Sequence, residues 1–301
     1  MAIKPYLQLV RLPNIFTAAA DSLAGWLLVQ GSFREPGRWL PLVLASACTY
    51  AGGIVLNDVF DYEVDRVERP KRPLPSGQIG RGFATVFGIL LLSAGLTLAF
   101  ASKTRYGWAV ELALIACVLG YDSGLKRSRL GPEVMGACRG LNLLLGMSQA
   151  VALGGPVCWL VAGAYAVFVA GITWVSRSEV HGGLGKNIAL GLTCQDAAFV
   201  ALIVACAQAG AFPNPIARPL GNAMLGCAAL AALGWAVHAR SFGALKTPEP
   251  EWVRGAVKFG IMSLVWIHVG MLLGVRGFLP ALVVALFWIP AAYTGRWIYS
   301  T

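Results

Sequence analysis

The chain has 301 residues, 57% of them hydrophobic and 13% charged, with a formal net charge of +10. Its mean hydropathy of +0.67 means more apolar surface than one water-soluble core can bury, which excludes an ordinary soluble domain. The basic excess does not describe a nucleic-acid-binding domain either, because Lys and Arg fall in loops between apolar stretches.

Those stretches approach the roughly 20 residues that cross about 30 Å of hydrocarbon. In chain order, spans are predicted over residues 12–31, 39–57, 83–101, 107–121, 134–153, 157–175, 190–210, 218–237, 256–275 and 278–295. Lipid cannot satisfy open backbone polar groups, so the spans are read as helices, and their Leu, Ala and Gly content suits close helix packing. The expected fold class is all-α: a polytopic transmembrane bundle of nine or ten spans, residues 1–301 forming one domain. The short connection Gly274-Val275-Arg276-Gly277 decides whether the last crossing is separate. Glycine pairs at 52–53, 154–155 and 182–183 mark tight turns or functional loops near span ends.

Met1 to Arg11 is short, and the apolar stretch after it lacks a small-residue cleavage site, so a retained first helix is expected rather than a removed signal peptide. With the N-terminus inside, Lys4, Arg11, Arg66, Arg69, Lys71, Arg72, Arg81, Lys126, Arg127, Arg129, Arg177, Lys186, Arg240, Lys246 and Arg254 share one face. The other face receives Arg34, Arg38, Lys103, Arg105, Arg218 and Arg276. The first face is therefore expected to be cytoplasmic, in a bacterial-type inner membrane. The seven cysteines lie in or beside apolar spans without paired metal spacing and read as packing residues.

The second span runs into Asn57-Asp58-Val59-Phe60-Asp61-Tyr62-Glu63-Val64-Asp65. On a helix turning about 100° per residue, Asp58 and Asp65 nearly superimpose and Asp61 sits about 60° away, with Asn57 beside Asp61. Three like charges on one face repel and, near a bilayer, lose solvation. A divalent cation removes that cost; Mg2+ takes carboxylate and water oxygens and shares its shell with phosphates. Arg69, Lys71 and Arg72 can neutralise remaining phosphate charge. The competing reading is a solvated helix end. A soluble calcium loop fits poorly, because the acids follow helical spacing and lack the terminal Glu at the right offset.

Asn57 to Asp65 resembles the first NDxxDxxxD motif of the UbiA-type intramembrane prenyltransferase superfamily, and Arg69 to Gly77 resembles its RPxRPLPSG continuation. Arg11-Leu12-Pro13-Asn14, Tyr121 followed by Lys126-Arg127, and the acid-containing loop after the sixth span follow the family's order. The resemblance implies a lipid-accessible polar cavity, Mg2+, and transfer of a prenyl group from a polyprenyl diphosphate to a small hydroxylated ring acceptor, aromatic or alicyclic. It implies metal ligation by Asn57, Asp58, Asp61, Asp65 and Glu179, the four acids being catalytic. Asn14, Asn57, Arg69, Lys71, Arg72, Tyr121, Lys126 and Arg127 are the implied substrate-binding residues. Arg139 and Asn142, three apart on the fifth span, join them as cavity residues, with helix-to-helix bonding the alternative. Membrane lipid is the remaining partner; no nucleic acid is expected.

The second acidic motif departs from the family. Between Thr173 and Asn187 the sole acid is Glu179, where two or three Asp are usual. Glu179 is open to three readings: a second Mg2+ ligand, an acceptor-activating base, or a surface partner of Arg177 or Lys186. His181 is an ordinary polar loop residue or a proton acceptor. The run Ser176 to Gly183 is similar to the EboC branch of the family, from which the alicyclic acceptor follows. A non-catalytic lipid-diphosphate binder or transporter, and a prenyl-diphosphate cyclase or hydrolase, are the alternatives. Asp21, Glu111 and Asp196 also lie within apolar spans, with no partner legible.

Overall fold

The structure, a computed structural model, describes residues 3–149, 153, 155–178, 185–214 and 220–298. Glu179, His181, Arg218 and the glycines at 154, 182 and 183 lie outside the described residues. Among the described residues every regular element is helical. A short α1 (Lys4–Leu9) precedes α2 (Leu12–Gln30), α3 (Pro36–Phe60), α4 (Tyr62–Glu68), α5 (Arg81–Ala101), α6 (Gly107–Ser123), α7 (Gly131–Gly146) and α8 (Pro156–Ser176). The chain continues through α9 (Gly185–Ala207), α10 (Leu220–Lys246), α11 (Pro250–Val275), α12 (Phe278–Ala285) and α13 (Trp288–Trp297).

Among the described residues, eight helical segments are long and apolar enough to cross a bilayer, and the protein is an integral membrane protein. Two expected spans fall short of that measure: α6 has 17 residues and α7 has 16, extending about 26 and 24 Å at about 1.5 Å per residue. The expected span 278–295 is two helices, α12 and α13. Pro290 has no N–H to donate to Leu286, and the backbone there tightens to three-residue bonds, Phe287 to Val284 and Ile289 to Leu286.

The bundle is organised on α2, which packs against α3, α7, α11 and α13. Pro13 in its first turn and Gly31 at its C-terminus, left-handed at φ 66°, bound the helix. Between them nearly every side chain from Thr17 to Val29 is buried. Its contact with α7 requires two glycines. A Cβ on Gly25 would lie 2.2 Å from the Leu143 carbonyl oxygen, and one on Gly146 would lie 1.8 Å from that of Ser22. Backbone therefore meets backbone, the close approach that small residues permit in membranes. Gly146→Ala is expected to lower stability by about 1–3 kcal/mol, the range for overpacking. Gly163→Ala, whose Cβ would meet nothing within 4 Å, is the control. Thermal midpoints in one detergent compare them, and equal midpoints would remove the close-packing argument.

At the far end of the bundle Arg276 is 2% exposed. Its guanidinium donates to the carbonyls of Leu28, Val29, Pro213 and Asn214. It clamps the end of α2.

Candidate active site

The acidic motif straddles the junction of α3 and α4. Asp61 sits there with φ −88° and ψ 5°. The ladder still passes through, from Asp61 N to Asn57 O at 2.9 Å and from Asp65 N to Asp61 O at 2.8 Å. The carboxylates divide between two sets of cations. Arg72 Nη1 bridges Asp58 Oδ1 at 3.4 Å and Asp65 Oδ2 at 2.6 Å. Asp61 turns instead to the α6–α7 connection, meeting Lys126 Nζ at 2.7 Å and Arg127 Nη2 at 3.5 Å.

Asp58 has a second cation. Arg11 Nη2 lies 3.2 Å from its Oδ1, and Arg11 itself occupies the left-handed region at φ 46° and ψ 56° as it opens α2. Such a conformation is costly for a non-glycine residue and persists where the surroundings demand it. Arg69 stands 3.9 Å from Asp65 and is more than half exposed. Arg11, Asp58, Arg69, Lys71 and Arg72 line a cavity of about 600 Å3, with Gln8 and Glu68 at its margin. Asn57 donates to Asp122 Oδ1 at 2.6 Å, tying α3 to the end of α6. Tyr121 is half-buried on the same end of α6. Four carboxylates, Asp58, Asp61, Asp65 and Asp122, thus stand among five cations, Arg11, Arg69, Arg72, Lys126 and Arg127. Arg11 and Asp122 were not assigned from sequence; an Arg next to the first span, and an acid following Tyr121, were the available signals.

Among the described residues no three His, Cys, Asp or Glu converge into a ready-made metal cage. The donor set still fits Mg2+. The ion needs only one or two carboxylates when phosphate oxygens and water complete its octahedron, and the motif offers hard oxygen donors whose present partners are cationic side chains. Asp58, Asp61 and Asp65 are the candidates to hold it, with the Asn57 amide oxygen beside them.

Arg139 and Asn142 are not part of this collar. They face α2 in a buried hub. Asp21, 0% exposed, receives Arg139 Nη1 at 2.8 Å and Asn142 Nδ2 at 3.1 Å on one oxygen, and the Tyr165 hydroxyl at 2.7 Å on the other. His268 Nε2 lies 2.9 Å from that second oxygen. Arg139 also donates to Thr17 at 3.2 Å and stacks over the Tyr50 ring at 4.9 Å. The observed bonds are therefore between helices, the second of the two readings sequence left open. Asn14 lies one turn before Thr17 and accepts that residue's hydroxyl on its carbonyl. Glu111, equally buried, accepts a hydrogen bond from Thr49 and joins α6 to α3.

The architecture and the collar define a class: a helical membrane protein with an acid–base rim around a charged cavity. Residues 21–254 match the UbiA prenyltransferase family, and the chain belongs to that family. It is 31% identical over 230 residues to the digeranylgeranylglyceryl phosphate synthase of Thermococcus gammatolerans, covering 73% of this chain and 81% of that protein. Over 132 residues it is 36% identical to the synthase of the same name from Sulfolobus acidocaldarius, covering 44% and 46%. The chain spans less than half the length of several such curated relatives. A solved UbiA homologue from Archaeoglobus fulgidus, bound to DMAPP and Mg2+, shares the fold at 14% identity with a TM-score of 0.61, over 85% of this chain and 97% of that one.

Proposed function

We propose that the protein transfers the prenyl group of a polyprenyl diphosphate to a hydroxylated acceptor in a Mg2+-dependent reaction at the Asp58–Asp61–Asp65 collar. The observation that carries this reading is the matched charge of the collar. Diphosphate alone would draw Arg72 and Lys126 away from their carboxylates and leave those acids unpaired; metal alone would displace the same cations. Joint arrival keeps every charge matched.

Bound Mg2+ supplies charge neutralisation at the diphosphate oxygens. Arg11, Arg69, Arg72, Lys126 and Arg127 hold the leaving group as the bond from its oxygen to the allylic carbon breaks. The acceptor oxygen or carbon then captures the allylic cation and gives up a proton. The prenyl tail stays in apolar surroundings, and the Lys and Arg bias supports a collar on the cytoplasmic face.

Two acceptor classes are in play. The relatives named digeranylgeranylglyceryl phosphate synthase favour a glycerophosphate; the run Ser176 to Gly183 favours a small hydroxylated ring. The test is the purified protein with geranylgeranyl and shorter prenyl diphosphates, each acceptor class, and Mg2+ or EDTA, read by mass spectrometry of the lipid products. An adduct only with Mg2+ is expected. Diphosphate release without any adduct would favour the cyclase or hydrolase, and binding without release the non-catalytic carrier.

Glu179, the sole acid matching the second motif, is assigned here to the weaker half of the metal site. Glu179→Gln is expected to raise the Mg2+ concentration for half-maximal turnover several-fold, with Glu179→Asp milder. An unchanged Mg2+ titration would move Glu179 to a surface ion pair.

A further inference from the structure

A second polar feature lies on another helix pair. Asp196 is midway along α9, a helix of 23 residues, roughly 16 Å from either end at about 1.5 Å per residue. His238 on α10 faces it, with Nδ1 3.0 and 3.1 Å from the two carboxylate oxygens. Both helices are membrane spans, yet the Asp196 and His238 side chains are 44% and 36% exposed. Ionisable groups at that depth normally face a bundle interior, because contact with hydrocarbon is expensive. This pair opens outward, so a polar group arriving from the bilayer would relieve a standing cost.

The surroundings describe that group. The dyad borders a groove of about 330 Å3, lined by Phe199, Val200, Ile203, Ala231, Gly234 and Trp235. Gly234 makes it concave: a Cβ there would lie 2.9 Å from Phe199 Cγ. The groove takes a ring-sized apolar body but not a helix, whose width is about 10–12 Å. Trp235 and Phe199 line the groove, and Trp235 stacks on His238 at an interplanar angle of 15°, so a planar ring meets aromatic surface beside the dyad. A carboxylate beside both imidazole and ligand disfavours phosphate or carboxylate head groups. With Nδ1–H donated to Asp196, Nε2 is the acceptor left for a hydroxyl, the arrangement in which a carboxylate orients a histidine base.

We propose that the α9–α10 groove binds a neutral, membrane-borne phenol, with its hydroxyl hydrogen-bonded to His238 Nε2 and its ring between Phe199 and Trp235. The site is independent of the diphosphate collar and of the reaction assigned to it.

The chain has three histidines, so 15N-histidine NMR of the full-length protein in phosphatidylcholine nanodiscs resolves His238, identified by its loss in His238→Gln. The probe is 4-octylphenol, with octylbenzene as the analogue lacking the hydroxyl. A saturable shift of the His238 signal with the phenol only is expected, weakened at least tenfold in Asp196→Asn. The His268 signal, from the buried hub, reports folding throughout. Ala231→Phe, which fills the groove but leaves the dyad, should abolish the shift. No saturable shift, an equal shift with octylbenzene, or full binding by Ala231→Phe would each overturn the proposal. So would a His238 signal that follows the number of protein copies per nanodisc instead, since a second copy would then cover the face.

Discussion

Asp65→Asn and Asp61→Asn are each expected to reduce Mg2+-dependent turnover of a prenyl diphosphate by on the order of 10³-fold, the loss typical of removing a group that meets charge in the transition state. The two substitutions act on different halves of the collar. Asp65 is 2% exposed and shares Arg72 with Asp58, so its neutral amide removes a metal donor and also weakens the hold on Arg72. Asp61 anchors Lys126 from the neighbouring helix connection, and its loss unties that cation from the motif. Neither side chain belongs to the bundle's apolar core, so both variants should be recovered from membranes folded. Turnover measured at saturating Mg2+, with thermal midpoints beside it, gives the answer. Near-normal turnover in both would remove the collar from catalysis.

The largest stability effect is expected at Asp21. Replacing it with Leu strands Arg139 in a buried position and strips acceptors from Tyr165, Asn142 and His268 together. Removing one partner of a buried ion pair costs about 3–5 kcal/mol. Arg139→Leu alone should cost a similar amount, because the buried Asp21 carboxylate keeps its hydrogen bonds but loses its cation. The double variant should recover much of the loss, since two apolar side chains of suitable volume leave no charge unmatched. Reversible unfolding by SDS in mixed micelles supplies the four corners of the cycle. Additive losses in the double variant would mean that the two residues do not act as a pair.

The family's motif was legible because its acids and amide are close in sequence: Asn57 to Asp65 carries spacing, charge and residue type together. Helix positions were legible for the same reason, as runs of local hydropathy. What sequence did not carry was which side chains meet. Arg139 and Asn142 were recognisable as sharing a face, but their partner Asp21 is 118 and 121 residues away. The useful signal was energetic rather than local: acids and bases stranded in apolar spans must find one another, and Asp21, Arg139 and His268 were all such residues. Which cations meet the acids was hidden too, because Lys126 and Arg127 reach Asp61 from a different helix connection. Arg276 was legible as a charge between two apolar spans, but the carbonyls it holds at Leu28 and Val29 are 248 and 247 residues away.

The long sequence separations have a consequence for how the protein is made. Asp21 lies in the first long helix, yet His268 follows 247 residues later and Arg276 reaches Leu28 across 248. At about 5–20 residues per second, a ribosome needs roughly 12–50 s to supply the last of these partners after Asp21 itself emerges. During that interval the nascent chain holds a lipid-intolerant carboxylate whose ligands arrive in instalments, first Arg139 and Asn142, then Tyr165, and finally His268. Helix α2, made before the helices it packs against, is thus among the last of them to be finished.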